Sequence, residues 1–202
     1  MNMKILSAIY KTSVVKKEDL IKDDFFQFAF VGRSNVGKSS FINKLVNQNR
    51  LAKTSSTPGL TKMINYFSIN EKFYFVDLPG YGFAKTDNKS KMVWADVIEK
   101  YLYPNEKLLM VFVLVDIRHL PSLQDKKMIQ FLTFYNIPYK IIATKADKLS
   151  KCQISKSMEL ISKDLKIRKE MITAVSNQNG QGIENVLNFI QAQIELTEAK
   201  NG

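Results

Sequence analysis

Cysteine, histidine and arginine are scarce in this chain, and each scarcity excludes something. Cys152 is the sole cysteine among 202 residues, so no intramolecular disulfide can form. That usage fits a reducing, cytoplasmic compartment. His119 is the sole histidine, and one Cys with one His rules out a zinc site of the usual Cys/His type. Long apolar runs are missing too. Leu108 to Val115 is the longest, far short of the roughly 20 residues a membrane span needs. Met1 to Lys17 holds only Ile5 to Tyr10 as an apolar stretch and no small-residue cleavage signal, so no signal peptide is expected. There is no repeat and no low-complexity segment, and no heptads sustain a coiled coil. A monomer is expected.

What is abundant is lysine. Lys and Arg total 30 against 19 Asp and Glu, a net charge of +11, although only Arg33, Arg50, Arg118 and Arg168 are arginines. Such a charge invites a polyanion such as nucleic acid. It is also compatible, though less so, with a compositional bias, since the lysines come with many Asn and Ile. With 45% hydrophobic and 24% charged residues the chain is an ordinary globular one. At this length about 70% of the unfolded surface can be buried, and one domain is expected.

Short apolar runs alternate with amphipathic helical stretches. Phe26 to Val31 predicts a strand ending at Gly32, after which Phe41, Ile42, Leu45 and Val46 share a helical face. Met63 to Ile69 and Phe73 to Leu78 predict two strands joined by a turn at Asn70-Glu71. Trp94, Ile98, Tyr101 and Leu102 have helical spacing, and Leu108 to Val115 predicts a fully buried strand. A helix bearing Met128, Leu132 and Tyr135 precedes a strand at Tyr139 to Ala143. Ile154, Met158, Ile161 and Leu165 form another helical stripe, Met171 to Val175 a short strand, and Ile183 to Ile194 a last helix. The expectation is an α/β fold. Its mostly parallel sheet of six or seven strands has one antiparallel edge strand and about five helices on both faces. Residues 1–25 are expected to be a lead-in segment, 26–197 a single domain, and 198–202 a short tail.

Four loops carry chemistry. Gly32-Arg33-Ser34-Asn35-Val36-Gly37-Lys38-Ser39 fits G-x-x-x-x-G-K-[ST], between a predicted strand and a predicted helix. Its glycines let backbone N–H groups turn toward a phosphate, and the helix N-terminus adds positive potential. Lys38 is expected on the β- and γ-phosphates and the Ser39 hydroxyl on Mg²⁺. Asp77-Leu78-Pro79-Gly80 follows a strand; Asp77 can hold Mg²⁺ through water and the Gly80 N–H can meet a γ-phosphate. Alone this segment would be an ordinary turn. Thr144-Lys145-Ala146-Asp147 approximates [NT]-K-x-D. The Asp147 carboxylate can accept from guanine N1 and N2, a donor pair that adenine lacks, and the Lys145 stem can pack over the base. Val175-Ser176-Asn177 is placed where backbone N–H groups could reach guanine O6. Together these predict a P-loop GTPase, with a fold of the P-loop NTPase (G-domain) type and residues 26–197 as its single GTP-binding domain, against the alternative of a P-loop ATPase or small-molecule kinase.

The resemblance is closer still. The string Gly32 to Ser40, Ser56-Thr57-Pro58-Gly59-Leu60-Thr61, Asp77 to Lys85, Val115-Asp116-Ile117-Arg118-His119 and Thr144 to Leu149 resembles the EngB (YihA/YsxC) family of bacterial ribosome-biogenesis GTPases. The likeness spans about residues 26 to 195. It implies slow, Mg²⁺-dependent GTP hydrolysis. It also implies GTP-gated assembly of the large (50S) ribosomal subunit through rRNA and ribosomal proteins, and a need in cell division and septation. The alternative is a switch that binds a protein partner in cell division.

By match to the family, Thr61 closes over Mg²⁺ and the γ-phosphate, with Thr57 as the weaker alternative. Gly59, Leu60, Lys62 and Met63 flank that closing loop beside the nucleotide, and Ser40 follows the P-loop. Lys38, Thr61 and Gly80 are the expected catalytic set; Ser39, Thr61 and Asp77 are the expected metal set. Asn35 resembles the P-loop Asn that ligates K⁺ in related cation-dependent GTPases, or it caps the loop itself. Tyr81 stands where many GTPases carry a water-orienting Gln, and a phenol is a poor substitute for that amide. His119 and the aromatic residues are expected to be structural. Leu60, Lys62, Ser176-Asn177 and the lead-in Lys22 to Gln27 depart from the family pattern.

Overall fold

The computed structural model describes residues 3–52, 63–81 and 96–201. Among these, seven strands form one sheet: β1 (Ala8–Val14), β2 (Phe26–Gly32), β3 (Ile64–Ile69), β4 (Phe73–Asp77), β5 (Leu108–Asp116), β6 (Tyr139–Thr144) and β7 (Ile172–Ala174). Their spatial order is β1-β3-β4-β2-β5-β6-β7. The helices are α1 (Lys38–Leu45), α2 (Leu123–Phe134), α3 (Lys151–Leu165) and α4 (Ile183–Asn201), and residues 96–102 are helical as well. None of the described helices is long and apolar enough to cross a membrane.

Strands β4, β2, β5, β6 and β7 pair in parallel. As the sequence predicts, one strand runs the other way: β3 is antiparallel to β4. It lies one place in from the edge, because β1 pairs with its outer side. The expected turn is present, with φ of 51° at Asn70 and 54° at Glu71 and the Lys72 N–H donating to Ile69. Asn70 also accepts from the N–H groups of Leu6 and Ser7, which docks the approach to β1 onto this turn.

β1 carries a bulge between Tyr10 and Thr12. Seven residues of β1 therefore span six of β3, since Ala8 pairs with Ile69 and Val14 with Ile64. The extra residue reverses the inward side, so Ala8 and Val14 enter opposite halves of the core.

The period of two sorts the other strands in the same way. Phe28, Phe30, Met110, Phe112 and Leu114 face α1 and α4, where Phe41, Ile42, Leu45, Val186 and Ile190 are buried. Ala29, Val31, Val111, Val113 and Val115 face the opposite side, against Ile98, Tyr101, Met128, Leu132 and Ile161. Helices thus cover both faces. Helix α2 starts in a capping box of Ser122 and Asp125, and α3 in one of Ser150 and Gln153. In the α3 stripe only Ile161 is fully buried; Ile154, Met158 and Leu165 are half-buried. Three aromatics depart from the expected core placement: Phe134 is 77%, Tyr10 50% and Tyr103 49% exposed.

Candidate functional site

The C-terminal ends of the parallel strands gather the predicted loops at one pole of the sheet, where open α/β sheets place their ligands. β2 ends in Gly32, and a Cβ there would meet the Leu114 carbonyl oxygen of β5 at 2.9 Å. Any larger residue would push the P-loop off the sheet. Asn35 and Gly37 are left-handed, with φ of 62° and 100°, and Gly37 is the N-cap of α1. Lys38, Ser39 and Ser40 form the first turn of that helix.

Three consecutive P-loop carbonyls are held by the neighbouring loops. Lys145 Nζ donates to Asn35 O at 3.1 Å, and Asn177 Nδ2 to Gly37 O at 3.1 Å. Thr144 Oγ1 lies 2.8 Å from Val36 O and 3.1 Å from Val115 O. Peptide C=O and N–H groups point to opposite sides of a planar unit. Pinning the Val36 and Gly37 carbonyls therefore aims the Gly37 and Lys38 N–H groups the other way, as an anion cradle requires.

Lys38 and Asp77 form a buried ion pair, their side chains 9% and 5% exposed. Each charge compensates the other inside the protein, where either alone would be costly. Leu78 and Pro79 are buried, and the Leu78 N–H donates to Phe30. Gly80 lies so close to the P-loop that a Cβ would stand 3.2 Å from Ser34 Oγ. Ser39 is half-buried, Ser40 and Arg33 are exposed, and Asn35 makes no side-chain hydrogen bond among the described residues.

At the other end of the site Lys145 is left-handed, with φ 65°, and Ala146 is buried. The Ala146 N–H donates to Val175 O at 3.0 Å, tying the two base loops together. Asp147 Oδ1 accepts from Ser176 Oγ at 2.8 Å. That bond, with Lys148 3.3 Å from the other oxygen, holds the Asp147 carboxyl below the usual carboxylate range.

Of seven buried side-chain polar atoms without a hydrogen bond among the described residues, three lie here: Ser34 Oγ, Asn177 Oδ1 and Asp147 Oδ2, the last held only by its ion pair with Lys148. Buried polar groups are ordinarily satisfied, so orphans concentrated in one site mark a place for a polar ligand. A cleft of about 750 Å³ opens beside Asn177 along Ser40, Asn43 and Lys44 of α1.

Gly59, Leu60, Thr61 and Lys62 lie outside the described residues, as do Thr57 and Trp94. Met63 precedes β3 and is exposed. One site residue is missed by the sequence reading. Asp116, at the end of β5, holds Lys145 at 2.9 Å and grips Arg118 through both carboxylate oxygens. Burial raises its pKa, but Arg118 and Lys145 outweigh that and keep the carboxyl well below the usual range. An acid closing a buried strand one loop before the base motif was the available signal. His119 is exposed, and its backbone N–H donates to Asp116 O.

A parallel sheet with a P-loop after its central strand, a buried Lys-Asp pair and a paired base loop defines a P-loop GTPase. Comparison with known proteins agrees. A family model described as a 50S ribosome-binding GTPase matches residues 27–145. A probable GTP-binding protein EngB of Desulforamulus reducens is 46% identical over 190 residues, covering 93% of each chain. A probable EngB of Fusobacterium nucleatum is 45% identical over 95% of this chain and 99% of its own. In fold, the chain resembles the crystal structure of a probable GTP-binding protein engB, with TM-score 0.69 and 24% identity over 84% of this chain and 98% of that one. It also resembles Era in complex with MgGDPNP and a 16S ribosomal RNA segment, with TM-score 0.64 and 20% identity over 84% of this chain and 56% of that one. The chain belongs to the EngB family of GTP-binding proteins.

Proposed function

We propose that this chain is a slow, Mg²⁺-dependent GTPase that acts as a GTP-gated assembly factor on the large ribosomal subunit. The observation that carries the nucleotide half is the convergence of the buried Lys38–Asp77 pair, the braced P-loop and the Asp147 acceptor at one pole of the sheet. The ribosomal half rests on the family model, described as a 50S ribosome-binding GTPase, and on the net charge of +11.

Each residue has a role in this reading. Backbone N–H groups from Gly32 to Ser40 cradle the phosphates, and Lys38 turns from Asp77 to the β- and γ-phosphates. The oxygen donors Ser39 and Asp77 suit a hard divalent cation, with Asp77 acting through water and Thr61 completing the set. Bound Mg²⁺ supplies neutralisation of phosphate charge. Gly80 offers its N–H to the γ-phosphate. Asp147 accepts from guanine N1 and N2, Lys145 covers the base, and Ser176-Asn177 lie near O6. Asn35, with its amide uncommitted among the described residues, is the group offered to K⁺. Tyr81 in place of a water-orienting Gln keeps the intrinsic rate low.

Exposed bases outnumber exposed acids on α3 and its flanks: Lys148, Lys151, Lys156, Lys163, Lys166 and Arg168 against Glu159 and Glu170. Helix α4 instead exposes Glu184, Glu195 and Glu198. The α3 side is therefore the face presented to rRNA phosphates, and binding weakens with salt. The test is co-sedimentation with large ribosomal subunits in a gradient, with a non-hydrolysable GTP analogue, GDP or no nucleotide, at two salt concentrations. Binding only with the analogue, weakened by salt, is expected. No binding in any state would contradict the ribosomal half of the proposal.

A further inference from the structure

We propose that Tyr81 is a positioning residue for GTP hydrolysis: its phenol ties the Asp77-Leu78-Pro79-Gly80 loop to the first turn of α2, so that loop and helix move together. The inference concerns the GTPase domain alone and does not depend on a ribosomal partner.

The backbone of Tyr81 is fixed to the P-loop. Its N–H donates to Gly32 O and its carbonyl accepts from the Ser34 N–H, both at 3.2 Å. Its side chain runs the other way, into the core between the sheet and α2, and is 7% exposed. There the hydroxyl donates to Asp125 Oδ1 at 2.7 Å, across 44 positions of sequence.

Asp125 is itself 3% exposed, and it closes the capping box of α2. Its Oδ2 accepts from the Ser122 N–H and the Ser122 hydroxyl, each at 2.7 Å. Among the described residues no cation pairs with it, so these donors and the phenol are what satisfy the buried carboxylate. One carboxylate thus serves both the helix cap and the loop after Gly80. A shift of Gly80 must either break a charge-assisted bond in a buried setting or carry the first turn of α2 with it. Leu120 and Leu123, 57% and 65% exposed, flank that turn and put any such movement at the surface.

The experiment compares wild type, Tyr81→Phe and Ser122→Ala in single-turnover hydrolysis, GDP affinity, thermal melting and amide exchange at residues 122–126 with GDP and with a non-hydrolysable GTP analogue. Tyr81→Phe is expected to keep GDP affinity within about twofold, to slow hydrolysis about tenfold, and to abolish the nucleotide-dependent exchange difference in α2. Ser122→Ala weakens the helix cap and lowers the melting temperature but keeps the wild-type rate. A wild-type rate in Tyr81→Phe overturns the proposal, as does an equal slowing in Ser122→Ala. If Tyr81→Phe does not fold, Asp125→Ala removes the same bond from the other side. The same slowing is then expected, and a wild-type rate overturns the proposal.

Discussion

The two faces of the sheet are built from different aromatics. Among the described buried residues, every ring on the α1/α4 side is a phenylalanine: Phe28, Phe30, Phe41, Phe67, Phe73, Phe75 and Phe112. Every ring on the α2/α3 side is a tyrosine: Tyr66, Tyr74, Tyr81 and Tyr101. Phenylalanine asks for no hydrogen bond, so its face gains from packing alone, with Phe30 5.1 Å from Phe75 and 5.2 Å from Phe112 between centroids. That face carries α1 and the Val175 end of the base loop, a rigid backing for the nucleotide loops. Each tyrosine hydroxyl must find a partner or lose the one it had in water. Tyr74 donates to Asp23 at 2.6 Å and Tyr81 to Asp125 at 2.7 Å, while the hydroxyls of Tyr66 and Tyr101 have no hydrogen bond among the described residues. One face is a fixed support. The other holds polar bonds that can be made and broken, and it lies under the loop that follows Asp77.

This contrast predicts a gradient of effects. Phe30→Ala, at a site with no exposure, should lower unfolding free energy most, by about 4 kcal/mol in denaturant titration. Lys38→Ala should cost about 3 kcal/mol by leaving Asp77 buried and unpaired, and should abolish tight nucleotide binding in a fluorescent-GDP titration. Tyr74→Phe should cost about 1 kcal/mol, one hydrogen bond. Tyr66→Phe should be neutral or slightly stabilising by the same assay, since it removes an orphan hydroxyl. If Tyr66→Phe costs as much as Phe30→Ala, the distinction between the faces fails.

Acid gives a subtler probe. Asp116 has a folded pKa below its unfolded value of about 3.9. Below that pH the unfolded chain binds the proton more readily. The stabilisation is therefore complete above about pH 4 and fades as pH falls toward the folded value. Melting temperatures taken from pH 6 down to pH 3 should fall less steeply in Asp116→Asn than in wild type.

Local chemistry made much of the site readable in advance. A P-loop is a fixed order of Gly, Lys and Ser, and the strand before it, Phe26–Gly32, is a plain apolar run. β1 was not readable, because its bulge breaks the alternation that betrays a strand and three consecutive residues, Ile9 to Lys11, are exposed. Nor was the brace on the carbonyls of Asn35, Val36 and Gly37, whose donors are about 110 to 140 positions away. The sequence marked Tyr81 as a poor replacement for Gln, but its bond to Asp125 exists only once α2 has folded over the sheet. The division of Phe and Tyr between faces is written in the strand alternation, yet which side is which depends on the crossovers.

The most direct measurement is nucleotide competition on wild type and Asp147→Asn, using GTP, ATP and xanthosine triphosphate against a fluorescent guanine nucleotide. Wild type should prefer GTP over ATP by at least about a hundredfold, and Asp147→Asn should shift preference to the xanthosine nucleotide, whose C2 carbonyl accepts where guanine donates. An unchanged GTP preference in Asp147→Asn would contradict the base-pocket assignment and the account built on it.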